Sequence, residues 1–477
     1  MFEFDKRQLK KLSEMRAEGV DPYPVGESGV MPLSVIDGLR EFSMGVLEGT
    51  DPVRVFGRVR FKNEMGKLGF GRIEDDGGRV QICVRKNEVS PEAFKAWKRL
   101  DLGDWVYVSG TYGRTRSGEL TIFVTDISLA SKCVSPMPDK LSGFTDVEQE
   151  YRKRYLHLAV SSEARDLFKR RSNTVSLMRR MLEGRGFMEV ETPMLHSIPG
   201  GALAKPFVTH HNALNQEMFL RIAPELHLKR LLVGGFPRVF EINRCFRNEG
   251  IGTKYNPEFT TVELYQAHAT YDDLIELISI IVSELGQFAS SDNPVDFDNI
   301  TRIRFDDAIR NLGIEDPWNV DQLRAFWVAN RGESESLPDT VGDWYDIIFD
   351  AFIQDTLIDP TFITNHPSET SPLARKTDGD SRTVDRFELY IRGMEVSDGW
   401  TELNDPVEQA ENFVQQLARR EGGDEEAMLF DEDFVRALSY GMPPAAGVGL
   451  GIDRLMMVLC NKKSIRDVIL FPTLRRE

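Results

Sequence analysis

The chain has 477 residues, with 59 Lys and Arg against 76 Asp and Glu, so its formal net charge is −17. Such an acidic balance disfavours indiscriminate nucleic-acid binding, and any nucleic-acid contact must come from local basic patches. With 41% hydrophobic and 28% charged residues the chain has the composition of a soluble globular protein of two or three domains, and no apolar run reaches membrane-span length.

Cys83, Cys133, Cys245 and Cys460 are scattered singly, which suggests neither a zinc knuckle nor a disulfide framework. The start, MFEFDKRQLKK, lacks the apolar core of a signal peptide, which makes the cytoplasm the default compartment. Residues Phe4 to Glu18 carry Leu9, Leu12 and Met15 at helical spacing among lysines and arginines, a short basic amphipathic helix stopped by Gly19. From about Val53 to Ala130 the segments shorten and alternate between glycine-containing turns, as in VRVFGRVRF and LGFGRIEDDGGRVQICV. Five strands with one helical interruption, PEAFKAWKRL, predict a Greek-key barrel of the OB type, a fold that binds single-stranded nucleic acid or protein.

The expected division is a lead-in at 1–50, the barrel at 51–132, a proline-containing linker at 133–160 and a large domain at 161–477, with a helical insertion around 285–345. From Ser161, SEARDLFKRRSNTVSLMRRMLEGRGF predicts one long amphipathic helix, and FMEVETPML a strand ending at Pro193. The paired glycines of IPGGALAKPF allow the backbone to approach a small ligand.

The stretch FRNEGIGTKYNPEFTTVELYQA, from Phe246 to Ala267, organises the rest. Arg247 and Glu249 precede a loop with Gly250, Gly252 and Pro257; Phe259, Thr261, Glu263 and Tyr265 then follow at period two, which predicts a hairpin with these four on one face. A guanidinium, a ring and carboxylates together suit a triphosphate, a flat base and a cationic substrate; taken alone, they equally fit a solvated charge face. Further on, DRFELYIRGMEVSDGWTELNDP predicts two extended segments meeting at Arg392 and Gly393, with Glu388 and Glu395 on either side of the bend. Facing carboxylates repel without a cation between them; hard oxygen ligands suit magnesium beside nucleotide phosphates, while arginines would make the pair structural. Asp398, Trp400 and Glu402 alternate and share a face. PPAAGVGLGIDRLMMVL runs from a glycine-rich strand into an apolar helix, weak evidence of a nucleotide site by itself.

Together these strings carry a resemblance. The Phe246–Ala267 stretch resembles motif 2 of the class II aminoacyl-tRNA synthetases, and RIAPELHLKRLLVGG, SPLA and GLGIDRLMM narrow the resemblance to the bacterial-type lysyl-tRNA synthetase family, over nearly the whole chain. It implies an α+β protein: an OB-type β-barrel that reads the anticodon, then a catalytic domain on an antiparallel sheet with flanking helices. It also implies ATP, L-lysine and tRNA(Lys) as substrates, Mg2+ as cofactor, no membrane, and a homodimer built on motif 1 from Ser161 onward. Under the resemblance, Arg247 bridges the substrate carboxylate and the α-phosphate, and Arg454 neutralises the far phosphate. Glu249, Tyr255, Asn256, Phe259 and Glu388 hold ATP, and Glu388 and Glu395 hold the metal. Gly201 and Glu225 receive the α-ammonium of lysine, while Glu263, Tyr265 and Glu402 grip its ε-ammonium. Arg58, Phe70, Gln81 and Glu119 match anticodon-contact positions, and the basic N-terminal helix matches a segment that helps to hold tRNA.

Three positions depart from the family pattern. Asp398 stands where an Asn contacting the substrate carboxylate is usual, Trp400 where Phe or Tyr is, and Tyr255 where His is common beside the ATP phosphates. An aspartate at 398 would repel the substrate carboxylate unless protonated or paired with Arg247, so Asp398→Asn is expected to lower the KM for lysine. An aspartyl or asparaginyl enzyme would need cationic or neutral groups in place of Glu263 and Glu402. A protein-lysylating relative would resemble only the catalytic part, and a noncatalytic tRNA-binding protein would not need Arg247, Glu388, Glu395 and Arg454 together.

Overall fold

Residues 4–38, 52–138, 144, 146–332 and 338–476 are described by the computed structural model, in two compact units, Met1–Arg165 and Asp166–Glu477. Parts of the expected lead-in and linker lie outside the described residues. In the first unit the Lys6–Ala17 helix, capped by Asp5, buries Leu12 and Met15 and exposes Lys6, Arg7, Lys10 and Arg16. Strands β1 (Val53–Met65), β2 (Leu68–Glu74), β3 (Arg79–Arg85), β4 (Trp105–Arg114) and β5 (Leu120–Ser131) close a barrel in the order β1-β2-β3-β5-β4. Alternate β-branched residues, among them Val55, Val59, Ile73, Ile82, Val108 and Ile122, fill its core. The Pro91–Arg99 helix, started by the Ser90 cap, adds Trp97 to that core. Gly69 makes room for the indole, since a Cβ there would lie 2.4 Å from Trp97 Nε1.

The second unit contains β6 (Met188–Glu189), β7 (Leu195–His196), β8 (Val208–His211), β9 (Gln216–Leu220), β10 (Arg238–Phe246), β11 (Glu258–Ala267), β12 (Thr301–Arg304), β13 (Thr361–Thr364), β14 (Lys376–Thr377), β15 (Asp380–Val384), β16 (Arg386–Ile391), β17 (Met394–Thr401) and β18 (Ala445–Gly451). Eight of them form one sheet in the order β12-β13-β16-β17-β18-β11-β10-β6, antiparallel except for the parallel pairs at its two edges. Strands β7 to β9 make a separate small sheet, and β14 pairs with β15. The strand expected over FMEVETPML is confined to Met188 and Glu189, and β12 interrupts the stretch expected to be helical.

Period-two alternation divides the large sheet. Val262 and Leu264 of β11, Phe387 and Leu389 of β16, and Val448 and Leu450 of β18 join a core shared with the Tyr271–Leu285 and Ile452–Leu459 helices. Glu263, Tyr265, Arg386, Glu388, Asp398 and Trp400 therefore line a cavity on the other face. A β-bulge completes that wall: Leu389 pairs with Ser397 and Tyr390 with Glu395, so Val396 has no partner across. The extra residue puts Glu395 on the same cavity wall as Asp398, three positions away.

Candidate active site

The cavity has a volume of about 370 Å³. It brings together Gly201, Glu225, Arg247, Glu249, Tyr255, Asn256, Phe259, Glu263, Tyr265, Glu388, Glu395, Asp398, Trp400 and Arg454; Glu402 lies just behind this wall. The expected hairpin is β10 and β11, paired from Arg238↔Gln266 to Phe246↔Glu258.

At one end, carboxylates outnumber cations. Glu225 opens the Glu225–Val233 helix, and Lys229, one turn on and fully buried, donates to Glu225 Oε1 at 2.6 Å while pairing with Glu402. Trp400 Nε1 donates to Glu402 Oε2 at 3.0 Å, and Glu402 Oε1 is buried without a hydrogen-bond partner among the described residues. Among the described residues Glu263 accepts a hydrogen bond only from the Tyr265 hydroxyl, at 3.3 Å. Burial, reinforced by the charge of Glu225, pushes the Glu263 carboxyl up to about 8. Among the described residues, three acids thus meet here with a single buried ammonium, which pairs with Glu225 and Glu402 and not with Glu263.

Two glycines make this packing possible. A Cβ at Gly447 would lie 2.2 Å from Tyr265 Cε1 and 2.4 Å from Glu402 Oε1. Gly201 has φ +87°, and a Cβ there would meet those of Glu225 and Ala223 at 3.0 and 3.1 Å.

At the other end the acids are already hydrogen-bonded to arginines. Arg386 donates to both oxygens of Asp398 at 2.9 Å, to Glu388 Oε1 at 2.5 Å and to Ser371 Oγ at 3.0 Å. The Tyr390 hydroxyl donates to the other Glu388 oxygen at 2.6 Å. Arg386, rather than Arg247, is therefore the partner of Asp398, because the β16–β17 register sets Glu388 opposite Asp398 and leaves Arg386 beside both. Burial raises the Glu388 carboxyl to about 8; Arg386 pulls against that, and the charges of Asp398 and Glu395 add to it.

Arg454 donates to the Glu395 carbonyl at 2.9 Å and to its Oε2 at 3.1 Å, with its guanidinium carbon 5.5 Å from the centre of the Tyr255 ring. Arg247 stands over the Phe259 ring at 5.2 Å. Burial also raises the Glu249 carboxyl. The Asn256 amide is engaged by backbone: its Nδ2 donates to the Glu258 carbonyl and its Oδ1 accepts from Thr473 N. As a donor set, Glu388 and Glu395 fit a hard divalent cation: both are carboxylates on the cavity wall, and the charge of Glu395 raises the cost of charging Glu388. Among the described residues no group of three or more His, Cys, Asp or Glu could hold a metal alone, so phosphate oxygens would have to complete the shell.

Sequence reasoning missed Lys229 and Arg386. Each had a local signal, since Lys229 is four residues beyond Glu225 on a helix and Arg386 is two before Glu388 on a strand.

On the barrel, Arg58, Phe70 and Gln81 are half-buried on the outer wall of β1, β2 and β3, and Glu119 precedes β5. Gln81 Nε2 donates to Thr121 Oγ1 at 2.8 Å, and Arg58 lies over the Trp105 ring at 4.8 Å.

Two family models match the chain: tRNA synthetases class II (D, K and N) over residues 146–475, and OB-fold nucleic acid binding domain over residues 53–130. The lysine–tRNA ligase of Shouchella clausii is 46% identical over 478 residues, covering 98% of this chain and 95% of that protein. Those of Bacillus thuringiensis and Bacillus anthracis are each 44% identical over 482 residues, covering 98% of this chain and 96% of theirs.

Proposed function

The chain belongs to the class II tRNA synthetases of the D, K and N group, and from that premise we propose that it is a lysine–tRNA ligase, as its relatives are named. One observation carries the choice of lysine: Glu263 is a buried carboxylate with no ion pair of its own among the described residues, in a pocket where Glu225 and Glu402 already share Lys229. An incoming ε-ammonium gains the charge complement that the protein withholds. An aspartate or asparagine side chain brings the wrong charge or none, at a cost of several kcal/mol on the order of a buried unpaired ion.

Lysine's carboxylate attacks the α-phosphorus of ATP, the bond to pyrophosphate breaks, and lysyl-adenylate forms. The terminal 3′-hydroxyl of tRNA(Lys) then attacks the lysyl carbonyl, and AMP leaves. A carboxylate is already a nucleophile, so the first step needs no general base, and its rate comes from alignment and charge stabilisation. We assign Arg247 the bridge between the lysine carboxylate and the α-phosphate, with Gly201 and Glu225 receiving the α-ammonium. Phe259 covers the adenine and Glu249 accepts from its amino group. Arg454, anchored on Glu395 and stacked on Tyr255, takes the far phosphate. Glu388 and Glu395 would hold magnesium, which when bound would supply charge neutralisation at the phosphates. On the barrel, Arg58, Phe70, Gln81 and Glu119 face the anticodon.

The same reading makes the protein a cytoplasmic homodimer. Exposed Met188, Met194, Leu195, Val208 and Leu214 around the expected motif 1 strand support a covering partner copy, and sedimentation against the 54.3 kDa chain mass tests it. No helix among the described residues is long and apolar enough to cross a membrane. Pyrophosphate exchange driven by lysine, and not by aspartate or asparagine, followed by charging of purified tRNA(Lys), is the expected result. Exchange driven by a different amino acid overturns the reading.

A further inference from the structure

A second β-bulge, in the barrel, turns one aromatic side chain to solvent. In β1, Val59 pairs with Ile73 and Phe61 with Arg72, so Arg60 has no partner across. Val59 and Arg60 are both buried, and Phe61 emerges 47% exposed, where unbroken alternation from Val59 would have turned it inward. Arg60 turns toward Glu74, 3.8 Å away.

The bulge sets Phe61 on the wall that carries Phe70. Asn63 is opposite Phe70 and Phe61 opposite Arg72, so the two phenylalanines are diagonal neighbours on adjacent strands, with Arg72 beside both and Gln81 across from Arg72. Arg72 is half-exposed and forms no ion pair among the described residues. The remaining aromatics of β1 and β4 are used internally. Phe56 stacks on Trp105 at 4.6 Å and 6° and contacts Tyr107 at 5.3 Å, Arg58 and Arg54 cover the outer rings, and the Tyr107 hydroxyl accepts from Glu27 N. Phe61 and Phe70 are left as aromatic side chains at diagonal positions on one wall with Arg72 beside both, an arrangement suited to successive unpaired bases and the phosphate joining them.

We propose that Phe61 is a second stacking platform for an unpaired base of the anticodon loop, next to the one on Phe70, with Arg72 on the intervening phosphate. This rests on reading the barrel as the anticodon binder, and the match of its residues 53–130 to a nucleic-acid-binding family supports that premise.

The test uses the full-length protein, a tRNA(Lys) transcript and an acceptor-stem minihelix lacking the anticodon loop. Phe61→Ala is expected to raise the Kd for the transcript about tenfold, in the range of one lost base stack. Phe61→Trp is expected to restore it, while lysine-dependent pyrophosphate exchange and minihelix binding stay at the parent values. Arg72→Ala is expected to reduce the slope of log Kd against log salt by about one, a change Phe61→Ala does not make. Phe70→Ala separates the two levels of the argument. If it weakens binding while Phe61→Ala stays within twofold of the parent, the second platform is refuted and the anticodon reading stands. If neither variant weakens binding, the anticodon reading falls and the platform with it. A Phe61→Ala loss that extends equally to the minihelix, or that Trp does not restore, also overturns the proposal.

Discussion

The two ends of the cavity balance charge in opposite ways. Among the described residues, one ammonium, Lys229, meets the three buried carboxylates Glu225, Glu263 and Glu402, and Glu263 is left with a hydroxyl partner alone. Around Glu388, Glu395 and Asp398 the protein supplies Arg386 and Arg454, already hydrogen-bonded to those acids. With all three ionised, the first end is two positive charges short, the number of ammonium groups that lysine carries. Counting Arg247, the second end sets three guanidinium groups against three carboxylates before any ligand arrives, and two of those arginines are already held, so phosphates must share them. Selectivity for a cation follows from the shortage, and rigid orientation of a polyanion from the pre-pairing.

Arg247 belongs to the second end by charge, but among the described residues it pairs with no carboxylate and its buried Nε has no hydrogen-bond partner. Replacing it with lysine keeps the charge and removes the planar fork, so adenylate formation measured by pyrophosphate exchange is expected to fall by at least about a hundredfold. A variant within a few-fold of the parent would show that net charge alone suffices there. Glu263→Gln attacks the shortage directly: the KM for lysine is expected to rise by roughly a hundredfold, as for a lost charge-assisted buried hydrogen bond, with the KM for ATP unchanged. Equal effects on both substrates would erase the distinction between the two ends.

A pH dependence separates them more finely. With its carboxyl at about 8 in the empty site, Glu263 is protonated at neutral pH, whereas pairing with an ammonium favours its ionised form. Lysine binding therefore releases a proton, and its Kd is expected to fall by up to about tenfold per unit of rising pH until about pH 8, then level off. The substrate-free protein carries the opposite linkage. Between its unfolded value of 4.5 and about 8 this carboxyl binds more protons folded than unfolded, so its contribution to stability declines as pH rises. Calorimetry in two buffers of different ionisation enthalpy measures the released proton; heats that do not depend on the buffer would refute it.

The smallest change is expected from Asp398→Asn. Since Arg386 already neutralises Asp398, removing the carboxylate frees part of one guanidinium, and the KM for lysine is expected to fall only about threefold, on the scale of a partly screened ion pair. Steady-state kinetics at fixed ATP measure it, and a raised KM would mean that the pair positions the substrate.

Local periodicity made much of this molecule legible from the chain alone. The β10–β11 hairpin, the shared face of Phe259, Thr261, Glu263 and Tyr265, and the five strands of the barrel all follow from alternation and turn residues, because side-chain direction in a strand is a property of neighbouring residues. The tertiary structure decided what alternation cannot express. The unpaired Arg60 and Val396 shift the phase of their strands, sending Phe61 outward and putting Glu395 on the wall with Asp398, and a bulge exists only in the register against a second strand. The choice of partner for each buried charge was likewise beyond the linear chain: Lys229 meets Glu402, and Arg386 takes Asp398 in preference to Arg247, because ion pairing depends on distance in space between segments that only the folded sheet brings together.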